Sequence, residues 1–185
     1  AKPLGALDIC RDLGGSLDNV WVVNSLSKRS GLPGLRSGFV AGDADRLEDL
    51  YYMRGYGGAQ TPVALQDAAI ALWRDERHVE GFRQRYAAIN QVAQEVFAGL
   101  PGFRPPEAGF VLWQPVSSGD GDAVARRLWQ EQAVRTLPGS ILSRPMPDGS
   151  VPGQGFVRFA LIYPEDVTRE ALLRSRDILA SDNRH

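Results

Sequence analysis

The chain has 185 residues, 43% hydrophobic and 23% charged, a mixture that suits one globular domain or parts of two with a sizeable core. Its 21 Lys and Arg nearly balance 22 Asp and Glu, for a formal net charge of −1, so nothing draws it electrostatically to nucleic acid or an anionic membrane. No run approaches the roughly 20 apolar residues of a membrane span, the first residues do not read as a signal peptide, and Cys10, His78 and His185 are too few for a disulfide or a Cys/His zinc site.

Residues 19–24 (NVWVVN) form a short β-branched apolar run and predict a buried strand, and 38–41 (GFVA) predict a second. Between them lies a polar, glycine-rich segment, 25–37. Asp43 or Asp45 is placed to cap a helix with Leu47, Leu50 and Tyr51 on its apolar stripe, and Gly55 to Gly58 stops it. Thr61 and Pro62 open a helix that runs through Ala64 to about Trp73. Val79, Phe82, Tyr86, Ile89, Val92, Val96 and Leu100 then recur every three or four residues, the signature of one long amphipathic helix ended by Pro101 and Gly102.

Residues 109–114 read as a strand, 117–121 as a loop, and 122–132 as a helix with Val124, Leu128 and Trp129 on one side. A short strand at 134–137 precedes a turn at Pro138 and Gly139. Residues 143–154, rich in proline and glycine, predict an exposed loop. Residues 156–162 (FVRFALI) read as a strong strand, and Pro164 opens a last helix with Val167, Leu172, Ile178 and Leu179 apolar. The order β, β, α, α, α, β, α, β, β, α is mixed α/β, and the long helix is a natural bridge between two lobes. The four tryptophans, Trp21, Trp73, Trp113 and Trp129, read as packing residues.

Only Lys2 and Lys28 are lysines; every other basic side chain apart from histidine is arginine. Arginine cannot replace lysine where an unprotonated amine must attack a carbonyl, which draws attention to Lys28. It lies in the segment 25–38, SLSKRSGLPGLRSG, for which three readings compete. Ser25 and Lys28 fit the S-x-x-K of penicillin-recognising serine enzymes, and residues 181–183 spell S-D-N. That chemistry needs a serine opening a helix and a later K-T-G, and no lysine follows Lys28. A purely structural loop between strands is the second reading. The third is a phosphate cradle beside a reactive lysine. Here Ser25 and Ser27 offer hydroxyls, Arg36 offers a guanidinium fork, and Gly31, Gly34 and Gly38 allow close backbone approach.

The last pattern resembles the lysine signature of class I/II, fold type I aminotransferases: small, apolar, small, lysine, a glycine-rich turn, and arginine eight residues on. The residue after that arginine is usually apolar; here it is Ser37, a choice familiar in N-succinyldiaminopimelate aminotransferases, which the segment resembles most. The resemblance runs over essentially the whole chain, including Pro138, Gly139 and Ser140, and Val157 to Leu161. It implies an α/β fold, with residues 1–75 ending a large PLP-binding domain and 76–185 forming a small C-terminal domain. It implies pyridoxal phosphate (PLP) as cofactor. Lys28 would hold it as a Schiff base and act as acid and base, Ser25, Ser27 and Arg36 would bind its phosphate, and Arg158 would grip the substrate carboxylate. Independently, a guanidinium within the apolar strand 156–162 is costly unless paired.

The family further implies small amino-acid and keto-acid substrates, glutamate among the donors and N-succinyl-2-amino-6-ketopimelate a fitting acceptor, and a cytoplasmic homodimer. Tyr51, Tyr52 and Tyr56 are candidates for its interface. No metal, nucleic acid or membrane partner is expected. The family's aspartate for the pyridine nitrogen and its tyrosine lie in a motif upstream of the lysine that this chain lacks. The chain is therefore expected to be the C-terminal portion of such an enzyme, incomplete alone. The rival expectation is an aminotransferase-like effector-binding domain of a transcription regulator.

Overall fold

In a computed structural model, residues 4–58 and 60–182 are described; Lys2, Asn183 and His185 lie outside them. The chain divides into two compact units, residues 1–80 and 81–185. The elements are α1 (Ala6–Asp12), β1 (Trp21–Ser25), α2 (Leu26–Arg29), β2 (Gly38–Gly42), α3 (Ala44–Gly57), α4 (Val63–Arg74), α5 (Arg77–Phe97), β3 (Val111–Pro115), α6 (Gly121–Gln132), β4 (Leu137–Pro138), β5 (Phe156–Ala160) and α7 (Glu165–Ser181). The class is mixed α/β, as the sequence predicts. Among the described residues no helix is long and apolar enough to cross a membrane.

In the first unit β1 and β2 pair antiparallel, with Ser25 opposite Gly38, so the twelve residues between them form a loop closed at its base by the strands. Gly38 is required there: a Cβ on it would stand 2.7 Å from the Asn24 carbonyl oxygen. β1 departs from the expected buried strand. Trp21 is 48% and Val23 72% exposed, because this ribbon has only two strands and the face bearing them is not covered. The cap of α3 is Asp43, whose carboxylate accepts from the backbone N–H groups of Asp45 and Arg46. The helix ends at the expected glycines, with the Gly58 N–H donating to the Arg54 carbonyl. Its stripe is shallower than predicted: Leu47 and Leu50 are half-buried, while Tyr51 faces solvent.

The second unit is built on an antiparallel sheet of order β3-β5-β4. Alternation along the strands sends Leu112 and Gln114 of β3 and Val157 and Phe159 of β5 to the core. There they meet Ile89, Val92, Val96 and Phe97 of α5, whose predicted period is the one observed. The Phe97 ring lies edge-on to Phe103 and Phe159 at centroid distances of 5.9 and 5.5 Å. Gln114 can be buried because its amide donates to the carbonyls of Pro101 (3.1 Å) and Pro115 (2.9 Å).

Helix faces in this unit differ from expectation in detail. α6 buries Val124, Ala125 and Leu128, leaving Trp129 57% exposed. α7 buries Thr168, Leu172, Ser175, Ile178 and Leu179, and Val167 lies outside that stripe. The two hydroxyl residues are tolerated inside because each donates to its own helix's entry or preceding turn, Thr168 to the Tyr163 carbonyl (3.1 Å) and Ser175 to that of Ala171 (2.8 Å). Of the other tryptophans, Trp73 packs against Phe39 and Trp113 stacks on Phe156.

Candidate active site

The segment read from sequence as a polar loop contains a helical turn. Ser25 ends β1 and caps α2, its Oγ accepting from the Ser27 N–H at 3.0 Å, and the two hydroxyls share a hydrogen bond of 2.9 Å. Leu26 is fully buried, and its N–H donates to the Ser37 carbonyl, which ties the turn to the far end of the loop. Ser30, four residues on and hence on the same side of the turn, is 4% exposed. Lys28 lies between these two anchors, on the side of the turn that faces solvent. The serine of S-x-x-K thus does open a helical turn, but the third element of that reading, a lysine after Lys28, is missing from the sequence.

Arg36 ends a 3-10 turn over Pro33–Leu35 in the left-handed conformation, φ 49° and ψ 33°. A side chain there costs about 1–2 kcal/mol of backbone strain, a price that concentrates at functional sites. One of its guanidinium N–H groups donates to the Pro33 carbonyl at 2.8 Å. Ser25, Ser27 and Arg36 share with Ser37, Gly38 and Trp73 the lining of a broad, open concavity of about 1290 Å3. Lys28 follows directly in the chain but stands outside that lining. The three residues predicted to bind the phosphate thus line one concavity, and Lys28, predicted to hold the cofactor as a Schiff base, follows Ser27 on the α2 turn.

Sequence reasoning passed over a ring of side chains behind this turn. Arg29 donates to the Leu72 carbonyl (2.9 Å), pairs with Glu76 and lies 5.1 Å from the Trp73 ring centroid. His78 Nε2 is 2.8 Å from Ser30 Oγ, and His78 Nδ1 is 3.0 Å from the Asp75 carboxylate. The hydrogen bond from His78 first, and then that from the Arg77 backbone, bring the Asp75 carboxyl down to about 2. The one signal in the sequence was that His78 is one of only two histidines.

Arg158 is in the second unit, on β5, opposite Trp113 of β3 and Leu137 of β4. It points away from the core side of the sheet taken by Val157 and Phe159, and is half-buried. Among the described residues no carboxylate pairs with it. Beside it, Gly139 and Gly153 meet backbone to backbone: a Cβ on Gly139 would lie 2.3 Å from the Gly153 carbonyl and 3.0 Å from the Trp113 ring. Among the described residues no cluster of His, Cys, Asp or Glu is arranged to hold a metal ion.

The family aminotransferase class I and II matches residues 5–172, nearly the whole chain. The chain belongs to this family. Class I and II aminotransferases depend on PLP. The chain is 39% identical over 116 residues to the 4-dedimethylamino-4-oxo-anhydrotetracycline transaminase OxyQ of Streptomyces rimosus, a match covering 60% of the chain and 31% of OxyQ. Among solved structures, an aminotransferase from Neisseria meningitidis superposes with a TM-score of 0.87 and 39% identity, covering 97% of this chain and 45% of that one. A probable N-succinyldiaminopimelate aminotransferase from Thermus thermophilus gives a TM-score of 0.75 and 31% identity, covering 89% and 43%. The chain spans less than half the length of each of these proteins.

Proposed function

We propose that this chain is the C-terminal portion of a PLP-dependent transaminase. It moves an amino group between an amino acid such as glutamate and a keto or semialdehyde acid, N-succinyl-2-amino-6-ketopimelate being the acceptor the Ser37-containing signature favours. The observation that carries the reading is the helical turn of α2, which exposes Lys28 next in the chain to two mutually bonded hydroxyls that line one concavity with a conformationally strained arginine.

The donor set fits a phosphate monoester. Ser25 and Ser27 retain hydroxyl capacity beyond their shared bond, and Arg36 uses one of its guanidinium N–H groups internally, leaving others for a dianion. When bound, PLP supplies an electron sink for the charge left at the substrate Cα on deprotonation. The chain's own residues do the rest. Ser25, Ser27 and Arg36 hold the phosphate, Lys28 Nζ takes the Cα proton and returns it, and the Arg158 guanidinium clamps the substrate carboxylate in bidentate fashion. Trp113 and Leu137 are the residues opposite Arg158 on the two flanking strands.

In this reading residues 1–75 belong to the large PLP-binding domain and 76–185 to the small domain, and the full-length protein is a cytoplasmic homodimer. The exposure of Tyr51, Tyr52 and Tyr56 on α3 supports an interface on that helix. The test is glutamate-dependent amino transfer by the full-length protein, with N-succinyl-2-amino-6-ketopimelate and simpler keto acids as acceptors. Lys28→Ala is expected to lower turnover at least about a hundredfold, the scale of a lost general acid and base. Undiminished turnover in that variant removes Lys28 from the mechanism.

A further inference from the structure

The residues behind α2 are more elaborate than a loop anchor requires. Ser30 Oγ lies 3.4 Å from Arg29 Nη1, which can only donate, and 2.8 Å from His78 Nε2. The hydroxyl thus bridges Arg29 and His78, and on the other side of the ring Nδ1–H donates to the Asp75 carboxylate at 3.0 Å. Asp75, His78 and Ser30 form one hydrogen-bonded chain. The order of groups is that of a nucleophilic triad, but Ser30 is 4% exposed and no substrate reaches its oxygen. The chain therefore acts on structure, and the structure it acts on is the turn of Lys28.

We propose that His78 is a positioning residue for Lys28: by bridging Asp75 to Ser30 it fastens the end of the α2 turn to the junction between α4 and α5, and so fixes the direction in which the lysine amine is presented. This inference rests on the reading of Lys28 as the cofactor lysine. Leu26 and Ser30 are the two inward positions of the turn, and the Ser30 and Leu32 N–H groups both donate to the Leu26 carbonyl, at 3.0 and 3.2 Å. Leu26, at the start of the turn, is held by burial of its side chain and by its N–H bond to the Ser37 carbonyl. Ser30, at the end of the turn, is held by the directional hydrogen bond of its side chain to His78. Arg29, between Lys28 and Ser30, is tied to the same junction through Leu72 and Glu76. Release at Ser30 loosens the C-terminal end of the turn, and Lys28, on the side opposite the two inward positions, is the side chain whose direction then varies.

The experiment compares full-length wild type with His78→Phe, His78→Gln, Ser30→Ala and the double variant His78→Phe/Ser30→Ala. Each is incubated with limiting PLP and reduced with borohydride, and the pyridoxyl on Lys28 relative to Lys2 is counted by peptide mapping. Amide hydrogen exchange at Ser30 and Leu32 and the melting temperature are recorded beside it. His78→Phe and Ser30→Ala are each expected to lower trapping on Lys28 about tenfold and to speed exchange of both amides, with little change in melting temperature. The double variant is expected to be no worse than either single one, and His78→Gln, which retains a donor and an acceptor, to recover much of the loss. Ser30→Ala, lacking one buried oxygen, carries the test if His78→Phe does not fold. Wild-type trapping and exchange in the folded variants overturn the positioning role while leaving Lys28 as the cofactor lysine. Absence of any preference for Lys28 in the wild type overturns the functional reading itself.

Discussion

Asp75 has no role in the chemistry proposed for Lys28, yet it is the most perturbed acid described, its carboxyl lowered to about 2 from an ordinary 3.8 by the hydrogen bond from His78 and then by that from the Arg77 backbone. A carboxyl lowered in the folded state contributes stability that is fully present above about 3.8 and is lost as pH falls through about 2. The junction between α4 and α5 is therefore expected to hold through mild acid and to loosen only near pH 2. Carboxyl NMR titration checks this directly: the Asp75 midpoint should lie near 2 and should rise toward 3.8 in His78→Phe, whose ring makes the larger contribution. A midpoint unchanged by that substitution would mean that the histidine is not the carboxylate's partner. At the same scale, Arg36 illustrates what sequence cannot reveal. The residue type is legible as a phosphate fork, but its left-handed backbone is a property of the tertiary loop.

Among elements, those with a long run of one periodicity were readable in advance, and those set by a few hydrogen bonds were not. α5 declares itself through six apolar residues at helical spacing, Val79 to Val96, because burial along one face over several turns leaves a pattern that local effects do not erase; Leu100, the seventh of the predicted stripe, lies just past its end. α2 has one turn, too short for any period. It exists because Ser25 caps it, Leu26 is buried and Ser30 is bonded by His78, 48 positions further along the chain, so a reading by composition sees only a polar loop. The same distinction explains α7, where Thr168 and Ser175 occupy buried positions that a hydrophobic pattern assigns to Val167.

The seam between α6 and β5 offers an element-scale test. Gly121 opens α6 with its N–H on the Gln154 carbonyl, and a Cβ there would stand 2.2 Å from the Phe156 carbonyl oxygen. Helix propensity alone favours Gly121→Ala by up to about 1 kcal/mol. The backbone clash is expected to win, destabilising the second unit by about 1–3 kcal/mol in denaturant unfolding. Stability equal to or above wild type would show that the seam has room to open. Because Phe156 is two residues before Arg158 on β5, displacement of the seam should also weaken the proposed carboxylate clamp.

For the whole molecule, the groups proposed to hold the phosphate and move the proton lie in residues 1–80, and the group proposed to clamp the carboxylate lies in 81–185, so the reading requires both units. The mixed α/β class was legible from the order of strand and helix patterns, and the family because one segment, SLSKRSGLPGLRSG, packs an amine, hydroxyls and a guanidinium into a small span of chain. The fastening of that segment was not legible, since it depends on Asp75 and His78, placed beside it only by the fold.

The most direct test of the central claim is to add PLP to the full-length wild-type protein, reduce with borohydride and map the product. The account predicts a pyridoxyl adduct on Lys28 and none on Lys2. No adduct on Lys28, or equal labelling of the two lysines, would contradict it.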